Sequence, residues 1–382
     1  MLRFLTAGES HGPGLVTIVE GLPAGLEVSA DGLAAELARR RWGHGRGPRM
    51  SVESDELEIV GGVRFGRTLG GPVAVLVRNR EWPRWQAEMA TQAGGGSAPL
   101  TAPRAGHADL PGMLKYDTHD ARDVLERASA RETAARTIAG RLAKALLGEA
   151  GVTVVGHVVA IGGVRAEGAA PGPGDLGRVD ASPVRCLDPA AAAAMVAEID
   201  RAHEEGDTLG GVLEVIAYGV PPGVGSCAHW DRRLDGRLAG ALMSIPAIKG
   251  VEIGDGFAGS GQRGSQAHDT ITFGPGGFTR GSAHAGGIEG GMSTGQPILV
   301  RAAMKPLSTL GTPSPTVDVS TKEPVEALRE RADTCAVPAA AVVAEQMTAW
   351  ILADEMVRMF GGDTVGDFRG AVAAYRQRLA GF

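Results

Sequence analysis

The chain has 382 residues, 43% of them apolar and 4% aromatic, with mean hydropathy near zero. That composition belongs to a globular chain with a core built mainly from Ala, Val, Leu and Ile, and length over ~150 leaves one or two domains open. The 58 glycines follow no three-residue period, which excludes collagen, and a net charge of −6 argues against a general nucleic-acid or membrane-surface binder.

In chain order, runs rich in β-branched residues predict strands at 15–19, 57–60, 73–77, 152–161, 212–217 and 298–302. Amphipathic patterns predict helices at 33–41, 130–147, 190–204, 234–243 and 339–360. The 130–147 helix is the clearest: Ser129 with Glu132 reads as a capping box, and Ala134, Ile138, Leu142 and Ala145 form an apolar stripe. The alternation is too irregular for βαβ units, so a mixed α+β architecture is favoured over a doubly wound one. The Gly/Pro-rich stretch 167–177 reads as a surface loop rather than a domain linker. Cys186, Cys227 and Cys335 are odd in number and in no metal spacing, so they read as reduced thiols of a cytoplasmic chain. No secretory signal and no run of ~20 apolar residues is visible.

The residues with chemistry to offer sit mostly in loops. In Gly8-Glu9-Ser10-His11-Gly12, small neighbours leave the His11 ring accessible and let the backbone approach a ligand; a His in a tight turn reads the same way. Residues 39–49, Arg39-Arg40-Arg41-Trp42-Gly43-His44-Gly45-Arg46-Gly47-Pro48-Arg49, hold five Arg and no acid. Like charges this close repel by roughly 1–2 kcal/mol per pair at an effective dielectric of ~20–40. Consecutive helical residues face different ways, so part of 39–41 turns from any pocket, while the glycines let Arg46 and Arg49 fold back. The segment reads either as a site for a polyanionic small molecule gripped by guanidinium forks or as a solvated basic surface.

Arg104-Ala105-Gly106-His107-Ala108-Asp109 brings a second His beside a carboxylate that either orients it or caps a turn. Arg127-Ala128-Ser129-Ala130-Arg131 puts two Arg at a helix start, against the dipole. An anion or salt bridges to Glu126 and Glu132 would relieve that conflict. Lys305-Pro306-Leu307-Ser308-Thr309 holds one of five Lys, and Arg331-Ala332-Asp333 offers Asp333 as a base or a cap. The G-x-G-x-x-G spacings at Gly172, Gly254 and Gly259 lack the strand-to-helix context of a dinucleotide site. No P-loop, H-E-x-x-H or G-x-S-x-G occurs, and no metal site is expected. Unaided, the residues describe an enzyme acting on a small phosphorylated or carboxylated anion.

The motifs at residues 8–12, 39–49, 106–109 and 127–134 resemble, in order, those of the chorismate synthase family. So do Gly206-Asp207-Thr208-Leu209-Gly210-Gly211, Ile248-Lys249-Gly250-Val251-Glu252, residues 286–291, Lys305-Pro306 and Arg331-x-Asp333, so the likeness spans nearly the whole chain. The resemblance implies the last common step of the shikimate pathway: 5-enolpyruvylshikimate 3-phosphate loses phosphate and a ring proton in a 1,4-elimination, giving chorismate. It implies a need for reduced FMN without net redox change, the flavin being reduced by an external NAD(P)H-dependent system. It further implies one domain over residues 1–382, an α+β sandwich with helices between antiparallel sheets, a homotetramer, and a cytoplasmic location.

Carried over by position, His11 would protonate the departing phosphate, His107 would protonate or stabilise the reduced flavin, and Asp333 would assist proton removal. Ser10, Arg40, Arg46, Arg49 and Arg131 would hold the substrate. Arg127, Ala128, Ser129, Pro246, Ala247, Gly290, Lys305, Pro306, Leu307, Ser308, Thr309 and Arg331 would contact the flavin. Three departures stand out. Ala105 replaces a usual Pro and would loosen the loop before His107; Asp117 replaces a common Gly and implies a different backbone; Ala332 removes a polar contact near Asp333. The alternatives from other classes are an RNA- or nucleotide-binding protein using residues 39–49 and an inactive scaffold that binds flavin without turnover. Low aromatic content and negative charge count against the first, and Ala332 is the one feature favouring the second.

Overall fold

A computed structural model describes residues 1–47, 56–94, 96–274, 277–328 and 333–382. Four antiparallel strands, β1 (Arg3–Ala7), β2 (Gly14–Glu20), β3 (Glu56–Gly61) and β4 (Val73–Arg78), form a first sheet in the order β1-β2-β4-β3. The register pairs Leu15 with Val77, Thr17 with Val75 and Val19 with Val73, all buried. The alternate residues Val16, Ile18 and Leu76 face outward, as the two-residue side-chain period of a strand requires.

The second sheet has five strands: β5 (Thr153–Ile161), β6 (Val164–Arg165), β7 (Gly211–Tyr218), β8 (Ile248–Ile253) and β9 (Ile298–Met304), in the order β8-β9-β7-β5-β6. Its inner rows are Val154–Ala217–Ile298, Gly156–Val215–Val300 and Val158–Leu213–Ala302. Helices fill the space between the sheets: α1 (Ala30–Arg41), α4 (Thr133–Glu149), α6 (Leu234–Met243) and α7 (Val337–Phe360). Shorter α2 (Asp109–Tyr116) and α3 (Arg122–Ala128) precede α4, α5 (Pro189–Glu204) lies between β6 and β7, and α8 (Val365–Ala380) follows α7.

Every residue of α7 from Val337 to Met356 is buried. Such a helix needs neighbours that come close. A Cβ on Gly140 of α4 would stand 2.3 Å from the Gln346 Cβ, and one on Gly156 of β5 would stand 2.5 Å from the Ala341 carbonyl. The Ala-rich, aromatic-poor composition is therefore a packing requirement of a helix held on several sides. Although buried over these twenty residues, α7 carries charge, and no helix among the described residues is long and apolar enough to cross a membrane.

The buried charges of α7 are Glu345, Asp354 and Glu355. Glu345, fully buried, accepts from Arg39 Nη1 and Nη2 (2.7 and 3.0 Å), Lys144 Nζ (2.5 Å) and the Gly156 amide (2.9 Å). Burial alone would raise its pKa, but Lys144 and Arg39 outweigh that and hold the carboxyl well below the usual range. One ionic cluster thus ties α1, α4, α7 and β5 together.

The six predicted strands and five predicted helices all form, with ends shifted by a few residues. β1, β6, β8, α2, α3 and α8 were not anticipated. The Ser129–Glu132 capping box does not form: the Ser129 hydroxyl accepts from the Arg131 amide at 3.3 Å, but the Glu132 carboxylate turns to Thr6 Oγ1 (3.0 Å) and Arg136 Nε (2.8 Å). A reciprocal box does form at Thr364 and Asp367, opening α8. Asp117 departs less than expected. With φ 55° and ψ 46° it takes the left-handed conformation that Gly adopts at helix ends, and Asp tolerates that region better than most side chains. Residues 167–170 are exposed, as a surface loop, and the Pro171 carbonyl accepts from the Tyr218 hydroxyl at 2.6 Å. The three cysteines are all unpaired.

Candidate active site

A cavity of about 250 Å³ opens where loops from both sheets converge on the first turns of α7. Its wall comes from the β1–β2 loop, the end of α1, the turn before α2, the α3–α4 junction, the α6–β8 turn and the segment after β9.

The β1–β2 loop doubles back tightly. Gly8 has φ 103°, and a Cβ there would meet the Gly14 carbonyl at 2.1 Å. This turn places His11 against α3, where Nδ1 lies 2.9 and 3.0 Å from the two carboxylate oxygens of Glu126. Glu126 also accepts from the His11 amide (2.8 Å) through its side chain and from the Ser10 amide (3.0 Å) through its carbonyl. With Nδ1 turned to a buried carboxylate, Nε2 is the ring nitrogen placed to exchange a proton with a ligand.

His107 repeats the arrangement from the other side. Its Nδ1 meets Asp109, which is fully buried and also takes three hydrogen bonds from Arg104, Nε to Oδ2 at 2.8 Å, Nη2 to Oδ1 at 3.1 Å and the amide to Oδ2 at 3.1 Å. Burial pushes the Asp109 carboxyl up, but the hydrogen bonds from His107 and Arg104 prevail and hold it well below the usual carboxylate range. Arg104 Nη1 donates onward to Thr309 Oγ1 at 3.1 Å, so the loop that Ala105 was expected to loosen is held at both ends.

Guanidinium groups line the rest. Arg40 is buried and donates to Thr133 Oγ1 at 3.3 Å, while its neighbour Arg39 faces away into the Glu345 cluster, the division that helical geometry required of residues 39–41. Arg131 Nε and Nη2 donate to Asn79 Oδ1 at 3.2 and 3.1 Å. Asn79 in turn donates to the carbonyls of Glu9 and Gly12 at 3.0 and 2.8 Å, linking Arg131 to the His11 loop. Arg46 Nη1 pairs with Asp333 Oδ2 at 2.6 Å. The lining also includes the apolar residues Ile245, Met304, Leu307, Ala336, Ala340 and Val343.

Of the residues carried over by resemblance, Ser10, His11, Arg40, Arg46, His107, Ser129, Arg131, Pro246, Ala247, Leu307, Ser308, Thr309 and Asp333 line this cavity together. Arg127, Ala128, Gly290, Lys305 and Pro306 do not line it. Arg127 donates instead to the Thr6 carbonyl and hydroxyl and the Gly8 carbonyl at 2.8–3.0 Å. Lys305 stands nearby, its Nζ 3.7 Å from where a Gly106 Cβ would be, with a pKa lowered by burial and by Lys249. Arg49, Arg331 and Ala332 lie outside the described residues. Sequence reasoning missed the Glu126 partnership with His11 and the Asn79 brace. It read Glu126 as a partner of adjacent Arg, and no local spacing links residues so distant in the chain.

The sequence matches the family model described as chorismate synthase over residues 2–357. It is 59% identical over 392 residues to the chorismate synthase of Parafrankia sp. (strain EAN1pec), covering 100% of both chains. It is also 59% identical over 378 residues to that of Thermobifida fusca (strain YX), covering 96% of each. A solved structure entitled "Crystal Structure of Chorismate Synthase" superposes with a TM-score of 0.81 at 40% identity, covering 100% of this chain and 99% of that one.

Proposed function

The chain belongs to the chorismate synthase family, and from that premise we infer that it converts 5-enolpyruvylshikimate 3-phosphate into chorismate and phosphate. It is a carbon–oxygen lyase of the shikimate pathway. The observation that carries the reading is one cavity flanked by His11 and His107, each with a carboxylate on Nδ1, in a basic lining within a chain of net charge −6.

The reaction breaks one C–O bond to phosphate and one C–H bond of the ring, with no net redox change. Arg40, Arg46 and Arg131 suit the substrate's two carboxylates and phosphate, because guanidinium forks match planar and tetrahedral oxyanions. Arg49 and Ser10 are assigned with them. His11 delivers a proton from Nε2 to the departing phosphate, and Glu126 stabilises the imidazolium before transfer. His107, held between Asp109 and Arg104, carries the proton on the flavin side. Asp333 assists removal of the ring proton, with Arg46 and the Gly47 amide fixing its carboxylate.

The residues suit reduced FMN. The apolar part of the lining matches a flat ring system, and Lys305 and Lys249, close enough to repel, suit its phosphate with Ser308 and Thr309. The chemistry that reduced flavin would supply there is transient electron density that assists departure of the phosphate, with no net redox change. Ser129, Pro246, Ala247 and Leu307 would border it, with Arg127, Ala128, Gly290, Pro306 and Arg331 beyond the described wall. An external NAD(P)H-dependent source of reduced flavin, a cytoplasmic location, one domain over residues 1–382 and a homotetramer complete the reading.

The test is anaerobic turnover with chemically reduced FMN and 5-enolpyruvylshikimate 3-phosphate, following chorismate absorbance and released phosphate together. Equal appearance of both products, lost with oxidised FMN and crippled in His11→Ala and His107→Ala, supports the assignment. No product from a folded protein overturns it.

A further inference from the structure

His11 is gripped on its face as well as its edge. The ring of Trp85 stacks on the His11 imidazole with centroids 4.0 Å apart and planes 23° from parallel. The Arg122 guanidinium lies 5.4 Å from the Trp85 ring centroid and 4.0 Å from the Glu126 carboxylate, one helical turn away on α3. Glu126 is the group that meets His11 Nδ1. His11, Glu126, Arg122 and Trp85 therefore form a closed circuit in which each touches the next.

The two grips do different things. A hydrogen bond at Nδ1 fixes the edge of an imidazole but leaves its tilt soft, because rotation about a bond to an sp² ring is broad. A flat ring stacked on the face removes that remaining freedom. Trp85 sits in the short turn Trp82–Trp85, whose first amide donates to the Asn79 carbonyl at 3.1 Å. Asn79 is the same residue whose side chain pins the backbone of the His11 loop. The stacking partner and the His it stacks on thus hang from one brace. Arg122 shares Glu126 with His11 and presents its cation to the indole, so it holds both partners.

We propose that Trp85 is a positioning residue for His11, locked by Arg122, and that it keeps Nε2 aimed at the departing phosphate. The proposal rests on the function inferred above and makes a separable claim about ring orientation. Misplacing an acid by about 1 Å costs up to ~100-fold in rate.

The experiment compares Trp85→Ala, Trp85→Phe and Arg122→Met with the unaltered protein. One arm measures kcat and KM with reduced FMN under anaerobic conditions. The other follows the His11 ring-proton resonance in protein carrying ¹³C-labelled histidine, assigned by its loss in His11→Ala. The expected result is a kcat lower by roughly 10- to 100-fold in Trp85→Ala with KM little changed. Trp85→Phe should restore most of the rate, and Arg122→Met should fall between. The His11 resonance, shifted upfield by the indole ring current, should move downfield in Trp85→Ala alone, without flavin or substrate. Wild-type kcat in Trp85→Ala, equal losses in the Phe and Ala variants, or an unmoved His11 resonance would each overturn the proposal. Because Trp85→Phe retains an aromatic ring, it stands if Trp85→Ala fails to fold. If the unaltered protein does not turn over, the functional reading fails while the resonance still decides the contact.

Discussion

The Asp333 carboxylate meets the Arg46 guanidinium at 2.6 Å on the cavity wall, and its second oxygen accepts from the Gly47 amide at 2.7 Å. One acid therefore sets the position of a binding Arg and faces the cavity itself. Asp333→Asn keeps an acceptor for Gly47 but loses the charge and the basicity. If Asp333 assists proton removal, kcat should fall by about 100-fold or more with KM within a few-fold. A role confined to holding Arg46 would raise KM and spare kcat, so steady-state kinetics on this variant separates the two.

Asp109 makes the acid side of stability legible. Its carboxyl is held well below the usual range, so the charged form is favoured by folding. The contribution is complete above the unfolded value of about 4 and is lost as pH falls through the folded value. Asp109→Asn should be less stable at neutral pH by about 2 kcal/mol, and its stability should decline less steeply than that of the unaltered protein below pH ~4. Urea unfolding across pH checks both.

The Glu345 cluster predicts a larger loss. Removing one charge from a buried ionic network takes a partner from each neighbour, here leaving Lys144 only Glu36 and Arg39 only Glu36 and Asp180 as acidic partners. Glu345→Gln should cost about 3–5 kcal/mol in urea unfolding.

Where the sequence carried a period, the fold could be read from it. Val73, Val75 and Val77, alternating with Ala74 and Leu76, gave a strand in place, and the Leu234–Met243 helix formed with the bounds its pattern implied. β1 and β8 were hidden because they are short and mixed in polarity, and Lys249 and Gly250 interrupt any alternation in β8. The site was legible at the level of residue types, since His and Arg among glycines announced an anion site. Its wiring was not. That His11 answers to Glu126, Arg131 to Asn79 and Asp333 to Arg46 depends on contacts between distant segments, which no local spacing encodes.

The α4–α7 contact predicts intolerance of a single methyl group. In Gly140→Ala the new Cβ would stand 2.3 Å from the Gln346 Cβ and 2.7 Å from its Cα, which no rotamer change relieves. Separating the helices should cost about 1–3 kcal/mol, seen as a lowered melting temperature.

α7 has a consequence in time as well as space. It follows both sheets in the chain, yet it is the helix on which α4, β5 and β7 close. At a synthesis rate of about 5–20 residues per second, the first sheet, complete at Arg78, waits on the order of tens of seconds for α7 with its interior face open to water. A ribosome stalled upstream of α7 therefore releases a shell lacking its filling, a species for chaperones and proteases rather than a smaller protein. The cavity is bound to the same schedule, because Asp333, Ala336, Ala340 and Val343 complete its wall. A ligand therefore meets the complete wall only once synthesis has run into α7.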